Sequence, residues 1–222
     1  MNCPDAVIVN YKSGNVKAVY DVCKMLNFNV LISDNPTILK SAKKIILPGV
    51  GSFDWALENL NSSGLRSALD ECVIKYEISL LGICVGMQIL MERSSEGISP
   101  GLGWIKGSCN HLSELISDEK LPVPHMGWNT VETCQSSVLF NNIMDPEFYF
   151  LHSYFVEVEN ECHSGAVTEY GKRFTSCVND KNIYGVQFHP EKSHQNGVKL
   201  IKNFLELDER INFIDDVLKQ IH

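Results

Sequence analysis

At 222 residues with a net charge of −8, the chain is long enough to bury a full core, and its charges are mixed along its length, which excludes the basic surface that nucleic acid or an anionic membrane needs. No apolar run approaches the ~18 residues of a membrane span, and Met1-Asn2-Cys3-Pro4-Asp5 has neither the basic nor the apolar stretch of a secretory signal. The eight cysteines (3, 23, 72, 84, 109, 134, 162 and 177) form no Cys-x-x-Cys pair and no metal-ligand spacing, so the expectation is a reduced cytoplasmic protein with no metal and no cofactor.

Ala6-Val7-Ile8-Val9 has the pattern of a buried strand, Lys12-Ser13-Gly14-Asn15 that of a turn. From Asn15 the apolar positions Val16, Val19, Cys23 and Leu26 recur at helical spacing. Asn29-Val30-Leu31-Ile32-Ser33 is a second strand, and Asn35-Pro36 reads as an N-cap followed by proline at the first helical position. Lys44-Ile45-Ile46-Leu47 is a third strand. Leu65, Leu69, Cys72, Val73 and Tyr76 mark a helix leading into a fourth, Ile78-Ser79-Leu80-Leu81-Gly82-Ile83, and residues 85–93 read as helix. This alternation implies a parallel sheet with right-handed crossovers.

After Glu92 the pattern changes to short strands, around Trp104-Ile105 and over 128–133, 148–157, 165–169, 174–178 and 184–188. Asn179-Asp180-Lys181-Asn182 reads as a hairpin turn. Helix returns with Val198, Ile201, Phe204 and Leu205 on one face, then with Ile214, Val217, Leu218 and Ile221 over 211–221. The expected architecture is a single α/β domain over 1–222, with a core of about 5–207. A central, mostly parallel sheet is flanked by helices, and extra antiparallel strands occupy the second half.

Three stretches carry chemistry. Gly82-Ile83-Cys84-Val85-Gly86 puts a thiol at a strand-to-helix turn, where the crowded backbone favours glycine on both sides. Free N–H groups and the dipole of a helix N-terminus favour a thiolate there. A lone cysteine in an apolar run is ordinary core; the flanking glycines argue otherwise. In Gln187-Phe188-His189-Pro190-Glu191 the proline biases His189 towards an extended backbone, which puts His189 and Glu191 on one side. A carboxylate beside an imidazole is the orienter-and-base pair that a nucleophilic thiol needs. Pro48-Gly49-Val50-Gly51-Ser52-Phe53 follows the third strand, at the strand end where open sheets bind ligands, and its glycines let backbone N–H groups approach an oxyanion. It fits neither a dinucleotide fingerprint, since Asp54 stands where the third glycine belongs, nor a Walker loop.

These motifs resemble the class I (triad) glutamine amidotransferases. Pro124-His125-Met126-Gly127-Trp128-Asn129 and Leu151-His152-Ser153-Tyr154 are similar to one branch of that family, the glutaminase subunits of imidazole glycerol phosphate synthase. The resemblance runs from about residue 7 to 205. It implies a catalytic triad of Cys84, His189 and Glu191, and an oxyanion hole from the backbone of Val85 and of Gly49, Val50 and Gly51, completed by a partner-induced peptide reorientation. It implies glutamine binding by Gly51, Gln88, Glu96, Ser153 and Tyr154. It further implies a HisF-type (β/α)8-barrel cyclase partner in a heterodimer, facing Asn15, Trp128, Tyr149 and Lys192. Ammonia would pass to that cyclase, which makes imidazole glycerol phosphate and the purine precursor AICAR in histidine biosynthesis. Lys12 stands where the family generally has glycine, and Val85 where leucine is commoner. A paralogue supplying ammonia for surface-polysaccharide sugar amidation would carry nearly the same motifs. A non-catalytic scaffold for a barrel partner would need no complete triad.

Overall fold

The computed structural model describes residues 3–116, 121–134 and 137–207. Strand β1 (Ala6–Val9) leads through α1 (Val16–Met25) to β2 (Val30–Ser33), then through α2 (Pro36–Leu39) to β3 (Lys44–Gly49). Helices α3 (Phe53–Ser62) and α4 (Leu65–Leu69) precede β4 (Ser79–Cys84) and α5 (Val85–Gln88). The strand-rich part holds β5 (Arg93–Ser94), β6 (Gly107–His111), β7 (His125–Thr130), β8 (Glu132–Thr133), β9 (Glu147–His152), β10 (Tyr154–Val158), β11 (Ser164–Tyr170), β12 (Lys172–Asp180) and β13 (Ile183–Val186). Helix α6 (His194–Leu205) follows.

An 11-stranded sheet runs β2-β1-β3-β4-β13-β12-β10-β6-β5, with β11 on β12 and β8 on β11; β7 and β9 form a separate antiparallel ribbon. From β2 to β13 every pairing is parallel, and β12 then reverses the direction. Strands β1, β3 and β13 are short apolar runs buried on both faces, as crossover helices require, while the edge strand β2 exposes Leu31. Helix α1 buries Val19 and Cys23 and packs with α6, which buries Leu200, Ile201, Phe204 and Leu205. Asn35 caps α2, its side chain accepting the Thr37 N–H at 2.9 Å, with Pro36 at the first helical position. These elements, the parallel first half and the β12–β13 turn at Lys181-Asn182 follow the sequence.

Several expectations are corrected. Residues 85–93 are helical over Val85–Gln88 alone. The carbonyls that would continue the helix are taken elsewhere: Ile89 O accepts Leu102 N–H at 2.7 Å, and Leu90 O accepts Trp104 and Ile105 N–H at 3.0 and 3.1 Å. Those bonds also keep Trp104-Ile105 from being a strand; β6 starts at Gly107. The expected helix through Tyr76 is α4 followed by a π-helical turn, Asp70–Lys75. Strand 148–157 is broken at Ser153 into β9 and β10, which join different sheets. Pro48 and Gly49 extend β3, opposite Ile83 and Cys84. Helix α3 is an addition, legible in the spacing of Phe53, Ala56, Leu57 and Leu60. The helix expected over 211–221 lies outside the described residues.

Candidate active site

Cys84 ends β4 with φ +55° and ψ −114°, a conformation that a side chain other than glycine adopts only under strain. The elbow needs its glycines for contact. A Cβ on Gly86 would lie 1.9 Å from the Leu47 carbonyl oxygen, and one on Gly82 2.6 Å from the Gly86 carbonyl oxygen. Strand β13 runs beside β4 in register, Val186 opposite Ile83, and so delivers His189 to the same sheet end. The His189 backbone is then pinned: its N–H donates to the Tyr149 carbonyl at 2.9 Å, and its carbonyl accepts the Ser193 hydroxyl at 2.7 Å.

His189 Nδ1 lies 2.9 Å from Glu191 Oε1, and both side chains are almost wholly buried, at 3% and 2% exposure. The pairing forms although Glu191 sits in a 3-10 turn, Pro190–Lys192, and not in an extended segment. Burial alone would discharge the imidazole. Hydrogen bonds to Cys84 and Glu191, with their charges, outweigh it and push His189 up to about 10. The sulfur and the carboxylate thus both favour the imidazolium form of His189. Gln187, fully buried, brings its amide nitrogen to 3.7 Å from Cys84 Sγ.

A cavity of about 320 Å³ opens in front of the thiol, and Val50, Gly51, Cys84, Val85, Gln88, Glu96, Ser153, Tyr154 and His189 all line it. Every residue expected to bind substrate is thus brought to one place. Glu96 Oε2 accepts the Phe53 N–H at 2.7 Å, which ties its carboxylate to the start of α3. Of the oxyanion candidates, Val85 and Gly51 face the cavity, while Gly49 is held in β3. The Val50 N–H donates to Ser13 Oγ at 2.9 Å, and the same hydroxyl donates to the Val50 carbonyl at 2.7 Å. In this state the Val50 peptide is engaged away from an oxyanion.

The residues expected at a partner surface are placed as follows. Trp128 is 43% exposed and meets Tyr149 edge-to-face at 6.2 Å. Lys192 Nζ stands 5.7 Å from the Tyr149 ring, over its face. These three form one patch. Asn15 lies apart in role, capping α1 by accepting the Ala18 N–H at 3.4 Å. Among the described residues no cluster of His, Cys, Asp and Glu could hold a metal ion, and no helix is long and apolar enough to cross a membrane. Sequence reasoning gave no role to Ser13, Gln187, His125 or His152. All four lie inside stretches that the sequence singles out, but their contacts depend on the tertiary fold.

The family model described as "Glutamine amidotransferase class-I" matches residues 7–207. The chain belongs to the class-I glutamine amidotransferases. It is accordingly an enzyme of the glutaminase type, and its elbow thiol, buried His-Glu pair and open cavity suit a class-I amidotransferase. Among its relatives, "Imidazole glycerol phosphate synthase subunit HisH" of Leptospira borgpetersenii is 48% identical over 201 residues, spanning 90% of this chain and 98% of that protein. The protein of the same name from Bdellovibrio bacteriovorus is 47% identical over the same shares. "Imidazole glycerol phosphate synthase subunit HisH 2" of Methanococcus maripaludis is 42% identical, again over 90% and 98%. A solved structure described as "Crystal structure of glutamine amidotransferase" superposes with a TM-score of 0.71 at 18% identity, covering 90% of this class-I chain and 97% of that one, a likeness of fold.

Proposed function

We propose that this chain is the glutaminase subunit of an imidazole glycerol phosphate synthase, feeding ammonia to a HisF-type barrel cyclase for histidine biosynthesis. The observation that carries the reading is the joining of a strained thiol, a buried His189–Glu191 pair and a cavity of about 320 Å³ in a chain 48% identical to a subunit of that name. The Cys84 sulfur attacks the side-chain amide carbon of glutamine, and the carbonyl electrons move to oxygen, where the backbone N–H of Val85 stabilises them. Collapse of this intermediate breaks the C–N bond as the His189 imidazolium protonates the nitrogen, and ammonia leaves. A water then attacks the thioester, with His189 taking its proton; glutamate departs and the sulfur is restored. Glu191 holds the imidazole in place throughout.

The second oxyanion donor is supplied by the Val50–Gly51 segment once Ser13 releases Val50, which makes the isolated chain a poor glutaminase. Removing one oxyanion donor typically costs ~10²–10³ in turnover. Trp128, Tyr149 and Lys192, with Asn15, face the barrel. Glutamate release by the chain alone, with a barrel cyclase, and with the cyclase substrate added tests the reading. Turnover that needs both supports it; full activity from the chain alone contradicts it.

A paralogue serving another ammonia acceptor is the second reading. Methanococcus maripaludis carries two relatives, named HisH 1 and HisH 2, so one organism can hold two such subunits. Lys12, at φ +66° in the turn beside Asn15, would alter partner choice. Growth of a histidine auxotroph lacking its own glutaminase subunit separates the two: rescue supports the synthase, and no rescue by a soluble, expressed chain supports the paralogue.

A further inference from the structure

Behind the cavity wall a chain of polar side chains runs from β7 to the nucleophile, and its direction is set at both ends. At the outer end the Asn129 amide nitrogen donates to the Glu169 carbonyl at 3.0 Å, while the amide oxygen accepts the Thr130 N–H at 2.8 Å. The remaining amide hydrogen meets His125 Nε2 at 3.2 Å, so that ring nitrogen accepts. A neutral His125 then carries its proton on Nδ1, which lies 3.0 Å from His152 Nε2. At the inner end His152 Nδ1 lies 2.8 Å from the Tyr154 carbonyl, which can only accept. His152 therefore carries its proton on Nδ1 and accepts at Nε2. The two ends give the same assignment independently. A further proton on either ring would set donor against donor.

The chain continues inward. The Tyr154 carbonyl also accepts Gln88 Nε2 at 3.1 Å, and Gln88 Nε2 gives its other hydrogen to Gln187 Oε1, also at 3.1 Å. Gln187 in turn presents its amide nitrogen to Cys84 Sγ at 3.7 Å. With both hydrogens of Gln88 engaged inside the wall, the atom it offers the cavity is its oxygen, an acceptor.

We propose that His125 and His152 are a neutral positioning relay, which holds the Tyr154 carbonyl so that Gln88 offers its oxygen to the bound glutamine and Gln187 its amide nitrogen to the nucleophile. This rests on the reading of Cys84 as the nucleophile. Burial keeps both rings uncharged, bringing His125 down to about 4 and His152 to about 3; a proton on His152 would also oppose charge on His125 and His189. His125 stacks on Tyr170 at 4.0 Å and on Phe150 at 4.7 Å, and His152 tilts against Phe174 at 5.4 Å, so aromatic packing fixes both ring planes.

Nitrogen-15 NMR of the unaltered chain near neutral pH tests the assignment directly. Two neutral histidines protonated on Nδ1 are expected at 125 and 152; a cationic ring or an Nε2–H tautomer at either site overturns the relay. Kinetics of the assembled synthase provide the second arm. His152→Phe keeps the aromatic contacts and removes both ring nitrogens, and is expected to raise KM for glutamine about tenfold while kcat changes far less. His152→Asn, whose amide can still donate to Tyr154 O, is expected to recover most of that loss. An unchanged KM in His152→Phe with a raised one in His152→Asn would mean that the ring only fills space, and equal damage from both would mean that the bond to Tyr154 O does not carry the effect; either overturns the relay. An unaltered synthase that releases no glutamate would be a failure of the proposed function; the NMR result then decides the relay alone, as it does if His152→Phe does not fold.

Discussion

On one side of β13 the site is made by backbone. From β2 to β4 the strands are parallel, with β1, β3 and β4 almost wholly buried, and the nucleophile owes its position to a strained peptide wedged between glycines. On the other side, from β12 outward and in the β7–β9 ribbon, the site is made by side chains: an alternating strand and two buried histidines, tied by hydrogen bonds to the amides of Gln88 at the end of α5 and Gln187 just after β13. The first half thus fixes where the reacting atom is, with little tolerance for added volume. The second half fixes which groups face the substrate, and it can be altered one bond at a time.

The largest effect is expected at the reacting atom itself. Cys84→Ala should abolish glutamine hydrolysis, by about 10⁴-fold or more, and leave partner binding intact. Retained turnover in that variant would sink the assignment of the nucleophile. Gly86→Ala probes the backbone half: its methyl would press the Leu47 carbonyl, and we expect a loss of about 3 kcal/mol in urea unfolding. A loss no larger than that of an average surface change would break the contrast between the halves. Glu96→Gln probes the side-chain half, keeping an acceptor for the Phe53 N–H while removing the charge. It should raise KM for glutamine about tenfold to a hundredfold without lowering the melting temperature appreciably.

The pH response joins the two halves through His189. Its folded value, about 10, lies above the ordinary value near 6.5, so the stabilisation it provides is fully present below 6.5 and is lost as pH rises through about 10. The melting-temperature gap between the unaltered chain and His189→Gln should accordingly narrow over that window. Glutaminase turnover should fall on the same limb, because the departing ammonia needs the imidazolium proton. Glu191→Gln removes one of the raising contacts and should move the limb to lower pH. A limb unmoved by that change would separate Glu191 from the imidazole. The smallest effect is expected at Asn35→Ala, far from the site, where loss of the cap on α2 should cost about 1 kcal/mol.

The same contrast explains what the sequence disclosed. The parallel strands, the Asn35-Pro36 cap and the elbow glycines are local patterns, readable within a few residues. His189 and Glu191 were readable too, being two residues apart with a proline between. Helix α5 ends early because residues 102–105 occupy its carbonyls, a tertiary competition that local spacing does not record. The roles of Gln187, His125 and His152 come from pairings such as His125 with His152 across the ribbon, which motif spacing leaves open. Ser13 is similar: its turn was legible, but its hold on Val50 joins residues 37 positions apart.

Strand β13 pairs with β4 on one edge and β12 on the other, and within the main sheet no other described strand joins those two groups. Among the described residues it is also the last strand in chain order. In chain order the thiol and the pocket wall, apart from His189 and Lys192, precede β13, the wall drawn from both groups. The two groups become one sheet only through β13, and His189 follows it three residues on. A polypeptide that stops before this strand therefore has a nucleophile without its proton partner.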